Sequence, residues 1–245
     1  LPPIILILMW MLFKYQKETG FRYILLSIAI TVVLWWCGEL IWWIYTAVFK
    51  ISPFPSIADF FWLAGYIPLI FIFLHTLVPN VRNLSIHTLG IIYFILVLVI
   101  SFIFVPMFRD TLLSKLSFAE AAVLLSYPSL DFICIILISF ILLLYYQRQL
   151  QYFWIFFCSA IIFTIVGDVL FTYFVAYGIY YVGSLSDVFS NLTNGILILG
   201  LVVVANQEMK IFTISDMGRE QKENARKLEE EVANRTKELK ELSED

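Results

Sequence analysis

The chain has 245 residues, of which 61% are hydrophobic, 18% are aromatic and only 14% are charged. Soluble domains are about 45–50% apolar and about 25% charged, so this composition excludes an ordinary water-soluble domain. The formal net charge of −3 provides no basic surface for nucleic acid. We therefore expect a membrane protein that is surrounded by lipids and has no nucleic-acid partner.

The charged residues divide the chain into two parts. Residues 206–245 hold 19 of the 35 charged side chains, and the preceding 205 residues hold 16. This division predicts a membrane domain over 1–205, a linker over 206–218 and a cytoplasmic signalling helix over 219–245. Since the chain begins inside an apolar run and ends inside a charged one, we expect it to be a fragment of a longer protein.

The apolar runs predict an all-α fold, because a spanning helix needs roughly 20 apolar residues. In chain order the runs cover 2–13, 23–49, 57–78, 84–106, 129–146, 152–176 and 188–205. We expect seven transmembrane helices, arranged as three outward-pointing hairpins plus one. Ser117 and Glu120 have the spacing of a capping box, so a separate short helix over 118–127 is also predicted, ending at Pro128.

The basic residues of the short loops predict the orientation, because Lys and Arg favour the cytoplasmic side. One set of loops carries Lys14, Lys17, Arg22, Arg82 and Arg148, the alternate loops carry Lys50, Arg109 and Lys115, and the tail begins with Lys210. This bias predicts a multi-pass protein of the cell membrane, with its N-terminus outside and its C-terminus in the cytoplasm.

Similar turns open the third, fifth and seventh spans. They are Pro55–Asp59, Pro128–Asp131 and Gly183–Asp187. A serine and a first-turn aspartate satisfy free backbone N–H groups and complement the helix dipole, so Asp59, Asp131 and Asp187 are predicted as helix caps. The functional alternative places these three carboxyl groups around a vestibule.

The second and third spans resemble the sixth and seventh. Gly38-Glu39 lies 20 residues before Asp59, and Gly167-Asp168 lies 19 residues before Asp187. This spacing predicts two related hairpins with the same orientation. Such a parallel repeat argues against the inverted repeats of many transporters.

Glu39 and Asp168 are the strongest candidates for a binding site, because both lie well inside a span. An ionised carboxylate there costs at least about 2.5 kcal/mol, and no Lys or Arg lies in the middle of any span. Two interpretations remain open. The acids are either protonated and bonded to another helix, or they face a ligand or an ion.

Aromatic and amide side chains complete the candidate set. Trp35, Trp36, Trp42 and Trp43 surround Glu39, which indicates either plain packing or a pocket for a cationic or flat apolar ligand. Asn191 and Asn194 share a helix face and either bridge helices or face the vestibule. The predicted ligand-binding residues are Glu39, Asp168, Trp35, Trp36, Trp42, Tyr66, Asn191 and Asn194.

No catalytic motif, metal cluster or nucleotide loop occurs in the sequence. We therefore expect no catalytic residue, no metal and no cofactor. Span seven contains no lysine, which excludes a retinal Schiff base. The ligand stays open between a small molecule and a lipid.

The tail has a heptad pattern that is strong from Ala225 to Leu242 and weak around Gly218 and Gln221. A parallel homodimeric coiled coil is predicted, with a single solvated helix as the alternative. Gly218, Leu228, Val232 and Leu239 are the predicted relay residues, and the weak segment suits a two-state element.

The segment Leu228–Leu239 resembles the L-E-x-x-V-x-x-R-T-x-E-L helix that precedes output domains in sensor histidine kinases. The membrane part is similar to seven-span sensor regions of such proteins through Pro55–Asp59, Gly65-Tyr66 and Gly183–Asp187. The resemblance implies a two-component kinase whose catalytic part lies outside this chain and whose partner is a response regulator. A diguanylate cyclase sensor and a cation- or proton-coupled transporter are the alternatives.

Overall fold

A computed structural model describes residues 1–15, 19–51, 54–79, 86–114, 116–146 and 152–244. The helices are α1 (Pro2–Tyr15), α2 (Thr19–Trp43), α3 (Ile57–Leu77), α4 (Ile86–Val99), α5 (Val105–Leu113), α6 (Phe118–Tyr146), α7 (Tyr152–Ala176) and α8 (Leu185–Glu244). A π-helical turn, Ile44–Val48, extends α2, and a second one, Ile100–Phe104, joins α4 to α5. These described residues contain no strand, so the predicted all-α class is confirmed.

Six helical segments are long and apolar enough to cross a membrane, which makes the chain a multi-pass membrane protein. They are Gly20–Val48, Ile57–Leu77, Leu89–Leu113, Phe118–Leu143, Tyr152–Ala176 and Leu185–Gln207. Each of them contains or overlaps one of the predicted runs. The remaining helix, α1, has 14 residues, which at 1.5 Å per residue extend only about 21 Å.

The apolar face of α1 packs against α2. Ile5, Met9 and Leu12 recur at helical spacing, and each is at most 3% exposed. From α2 the packing continues through α3 and α6 to α7. These neighbours form the core of one compact unit, Leu1–Val204.

The prediction of a helix that ends at Pro128 is wrong, because α6 continues through this proline. Proline lacks a backbone N–H, and in membrane helices nearby hydroxyl groups satisfy the carbonyls that are freed. Beside this proline, Ser129 Oγ donates to the Leu125 carbonyl oxygen at 2.7 Å, whereas the carbonyl that lacks the proline N–H is that of Leu124. A proline inside an apolar run therefore does not by itself predict a helix end.

At the α2–α3 crossing, two glycines leave space that tryptophan side chains of the opposite helix fill. A Cβ atom at Gly38 would lie 2.6 Å from Trp62 Nε1, and one at Gly65 would overlap the Trp35 indole. Trp35 Nε1 also donates to the Trp62 carbonyl oxygen at 3.0 Å. The two helices therefore interlock, with a glycine of each facing an indole of the other.

The α7–α8 crossing uses the equivalent positions. A Cβ atom at Gly167 would lie 3.1 Å from Ser190 Oγ, and Ser190 follows Asp187 by three residues, as Trp62 follows Asp59. One turn further along, the hydroxyl groups of Thr164 and Thr193 are 3.1 Å apart. These contacts agree with the parallel repeat that the sequence predicts.

A second compact unit, Ala205–Asp245, contains the charged part of α8. Residues 206–218, predicted as a linker, are helical. Lys17, Arg82, Lys115 and Arg148, which contribute to the predicted orientation, lie outside the described residues. The orientation of the termini and the coiled coil stay predictions.

We expect Gly38→Ala to lower the thermal stability of the bundle. The added methyl group must displace the Trp62 indole, and overpacking of this kind costs about 1–3 kcal/mol. Gly90→Ala in α4 is the matched control, since a Cβ there meets nothing within 4 Å. The melting temperature of each variant is measured in detergent, with size-exclusion chromatography used to monitor loss of the folded protein. Equal melting temperatures for Gly38→Ala and Gly90→Ala would contradict the interlocked crossing.

Candidate functional site

A cavity of about 340 Å³ lies within the Leu1–Val204 unit, and most of its wall comes from α2, α3, α7 and α8. Its polar end lies where α2 and α7 end and where α3 and α8 begin. Ligand pockets usually measure roughly 300–1,000 Å³, so this cavity suits a small ligand.

The structure brings all eight predicted ligand-binding residues to this cavity. They are Glu39, Asp168, Trp35, Trp36, Trp42, Tyr66, Asn191 and Asn194. Of the three predicted cap or vestibule residues, Asp187 lines the cavity, whereas Asp59 and Asp131 lie behind its wall. Four different helices contribute these side chains, so the site exists only in the folded bundle.

Tyr66 connects the cavity to the buried interior of the bundle. Its hydroxyl group lies 2.7 Å from Asp131 Oδ1 and 2.7 Å from Asp168 Oδ2. Tyr66 is 2% exposed and Asp131 is completely buried. Asp168 lines the cavity, and its Oδ1 atom has no hydrogen-bond partner among the described residues.

This arrangement requires one shared proton. A phenol has a single hydrogen to donate, whereas two carboxyl oxygens lie at hydrogen-bond distance from it. Both bonds form only when at least one carboxyl group is protonated and donates to the Tyr66 oxygen. Because a buried, unpaired charge is the most costly state, this proton belongs on Asp131, whose Oδ2 has no partner among the described residues. Asp168 is the carboxyl group of the pair that faces the cavity.

The prediction that Asp131 is a helix cap is wrong, because this residue lies within α6 rather than at its start. The misplaced helix start at Pro128 caused the error. Asp131 forms its hydrogen bond with a tyrosine of α3 and therefore joins two helices instead of ending one.

Asp59 does cap α3, as predicted. Its Oδ2 atom accepts a 2.6 Å bond from the Ser56 backbone N–H, and Ser56 Oγ accepts from Ala58, which completes a capping box. Its other oxygen, Oδ1, accepts from the Tyr127 hydroxyl at 2.7 Å. Asp59 is thus fully engaged in structure, with a cap on one side and a link to α6 on the other.

Asp187 lies at the start of α8 and at the edge of the cavity. Its Oδ2 accepts from the Gly183 backbone N–H at 2.6 Å, one residue earlier than a capping box with Ser184 would require. The Tyr180 hydroxyl donates to Oδ1 at 3.3 Å. Burial and then the Asp187 carboxylate raise the pKa of Tyr180, so this phenol keeps its proton and remains a donor at neutral pH.

Aromatic rings that the sequence reasoning missed form much of the wall. The Trp42 ring centre lies 5.5 Å from Trp62, 6.2 Å from Tyr180 and 6.4 Å from Phe171. Trp62 was predictable, because it shares a helix face with Asp59 and Tyr66. Tyr180 and Phe171 reach the cavity through the fold of the α7–α8 turn, which no local pattern reveals.

Glu39 belongs to a stripe on α2 that also contains Trp35, Trp42 and Thr46, all of which line the cavity. Spacings of four, three and four residues place these side chains on one face of the helix. Trp62 of α3 lines the same cavity. Glu39 therefore faces the cavity beside aromatic side chains of its own helix and of α3.

Asn191 and Asn194 line the cavity, and within the described part of the chain they do not bridge helices. Their amide groups donate to carbonyl oxygens one turn back on α8, from Asn191 to Asp187 at 2.8 Å and from Asn194 to Ser190 at 3.3 Å. Their carbonyl oxygens remain available to a ligand.

Within the described ranges, no group of three or more His, Cys, Asp or Glu side chains has an arrangement that holds a metal ion. The carboxyl groups are engaged with tyrosines and backbone N–H groups instead. No family model, curated protein or solved structure matches the chain.

The shared proton can be tested by infrared spectroscopy of the protein in lipid. We expect the Asp131→Asn variant to lose an absorption of a protonated carboxylic acid that the unmodified chain shows. Glu120→Gln is the matched control, since Glu120 lies outside the cavity and Gln preserves its capping bonds at the start of α6. A spectrum that Asp131→Asn leaves unchanged would place the proton elsewhere.

Proposed function

We propose that this chain is the membrane sensory region of a signalling protein, with the cavity as its input site and α8 as its output. One observation carries the proposal. Asp187, Asn191 and Asn194 of α8 line the cavity, and the same helix continues to Glu244. A ligand that prefers one arrangement of α8 would change the helix that leads to the output.

The proposed parent protein is a sensor histidine kinase, as the resemblance of Leu228–Leu239 implies. In this proposal α1 is the first of seven spans, the N-terminus lies outside and the tail lies in the cytoplasm. The kinase part would follow residue 245 and act on a response regulator. A diguanylate cyclase would use the same input, and the residues after 245 would distinguish the two.

The position of the carboxyl groups favours a sensor over a transporter. In the described spans, Glu39, Asp59, Asp131, Asp168 and Asp187 all lie in the part of the bundle that contains the polar end of the cavity. A transport path would need further acidic groups deeper in the membrane. The described part of α7 before Asp168 has no acidic side chain, and neither does α8 from Asn194 to Gln207. A relay of cations or protons needs polar groups across the whole membrane thickness.

We propose that the tail forms a parallel coiled coil with a second copy of this chain. Leu228, at a predicted seam position, is 64% exposed in the single chain. Arg226–Glu230 and Lys227–Glu223 form ion pairs at i,i+4 spacing along the helix. An exposed apolar seam beside charged flanks is the pattern that a second helix covers.

Cysteine cross-linking tests the dimer in a Cys37→Ala background. We expect Leu228→Cys to form an intermolecular disulfide under mild oxidation, because seam residues of a parallel dimer face each other. Glu230→Cys is the matched control, since Glu230 lies on the opposite side of the heptad and its side chain is exposed. Non-reducing gel electrophoresis measures both, and equal cross-linking at the two positions would disprove the predicted seam.

The same cross-link reports on the connection between the cavity and the tail. We expect Glu39→Gln combined with Asp168→Asn to change the cross-linking rate of the Leu228→Cys variant. The reason is that the two acidic groups interact more favourably with one arrangement of α8 than with another. Glu120→Gln is the control, an acid-to-amide change away from the cavity. If all the variants cross-link at the same rate and remain folded, the cavity does not control the tail.

A further inference from the structure

The acidic side chains around the cavity indicate which sign of charge a ligand would carry. Glu39, Asp168 and Asp187 line the cavity, and among the described residues no Lys, Arg or His does so. Asp168 turns an oxygen without a hydrogen-bond partner among the described residues toward this space. Carboxylates in a low-dielectric environment interact strongly with an added positive charge and repel an anion. The ligand that complements this wall is a cation.

The wall also shows what kind of cation fits. Aromatic ring faces attract cations, and Trp35, Trp42 and Trp62 line the space together with Tyr66 and Tyr180. Metal ions need several oxygen, nitrogen or sulfur ligands that converge, and the described residues offer no such group. Carboxylates combined with π faces are typical of sites for organic ammonium groups.

Polarity changes along the length of the cavity. Ile28 lies eleven residues before Glu39 on α2, which corresponds to about 16 Å along the helix. Leu69, Phe157 and Leu197 also line the space and have no polar side-chain atoms. A ligand that fills the cavity therefore has a charged head at one end and an apolar body at the other.

We propose that the cavity binds a small amphiphilic organic cation, an amine or a quaternary ammonium compound. Its head lies among Glu39, Asp168 and Asp187, and its apolar part extends toward Ile28 and Phe157. As the identity of the signal, this inference rests on the proposed sensory function, but binding is measurable without any signalling output.

Two probes of the same shape test the charge requirement. Phenyltrimethylammonium is a cation, and tert-butylbenzene is its neutral isostere. Both are titrated against the full chain in nanodiscs of phosphatidylglycerol, with tryptophan fluorescence as the measurement and empty nanodiscs as the reference for partition into lipid. We expect the cation to bind at least about tenfold more tightly. Equal or tighter binding of the neutral probe, or no binding of the cation, would overturn the proposal.

Variants of the wall separate charge from folding. Glu39→Gln is expected to weaken binding of phenyltrimethylammonium about tenfold and to leave binding of tert-butylbenzene unchanged. Unchanged binding of the neutral probe shows that the cavity is intact. Glu120→Gln, outside the cavity, keeps both affinities. If Glu39→Gln also loses binding of tert-butylbenzene, Trp42→Phe is measured instead, because it retains an aromatic ring. If neither variant alters the preference for the cation over the neutral probe, the proposed site for the charged head is overturned.

A quaternary ammonium head can belong to a lipid or to a free molecule. Phosphatidylcholine added to the nanodiscs competes with phenyltrimethylammonium if the choline headgroup is the natural occupant, and it leaves the affinity unchanged if the ligand is free. Either result is consistent with an organic ammonium compound as the ligand. If the bound cation does not alter cross-linking at Leu228→Cys, the sensory function fails while the binding site stands.

Discussion

The need to satisfy carboxyl groups within a membrane bundle governs how these helices meet. A buried carboxyl group without a donor is costly, and the fold supplies donors from neighbouring helices. Tyr127 of α6 donates to Asp59 of α3, and Tyr66 of α3 contacts Asp131 of α6. The α3–α6 pair is therefore joined twice, in opposite directions, and one of these links continues to Asp168 on α7. Such reciprocal bonds define the positions of three helices relative to one another.

Close helix crossings at glycine residues join the other helix pairs. Gly38 and Gly65 let the α2 and α3 backbones approach until each meets an indole, and Gly167 lets α7 approach α8 at the equivalent position. The partners differ, since large indoles fill one crossing and small hydroxyl groups fill the other. The wide side chains at the first crossing also form part of the cavity wall. One hairpin thus supplies most of the aromatic surface, whereas the other supplies two of the three carboxyl groups.

One helix, α8, lines the cavity at its start and continues into the tail. This continuity gives the proposed sensory function its physical basis. A ligand between α2 and α8 has contacts that change when α8 moves, so its binding energy differs between arrangements of that helix. The carboxyl groups are suited to this purpose, because electrostatic interactions in a low-dielectric space respond strongly to small displacements. Asp131 lies behind the wall and is linked through Tyr66 to Asp168, the carboxyl group that lines the cavity.

The sequence by itself determined the membrane class, six of the spans, the Asp59 cap and eight of the residues that meet at the cavity. Composition and helical period decide these features, and both are local properties. It placed Asp131 at a helix start because proline often ends a helix, whereas α6 continues through Pro128 as prolines in membrane helices can allow. Only the tertiary structure decided that Tyr66 lies between Asp131 and Asp168, and that Tyr180 and Phe171 reach Trp42. Those contacts join residues far apart in the chain, so no local pattern in the sequence reveals them.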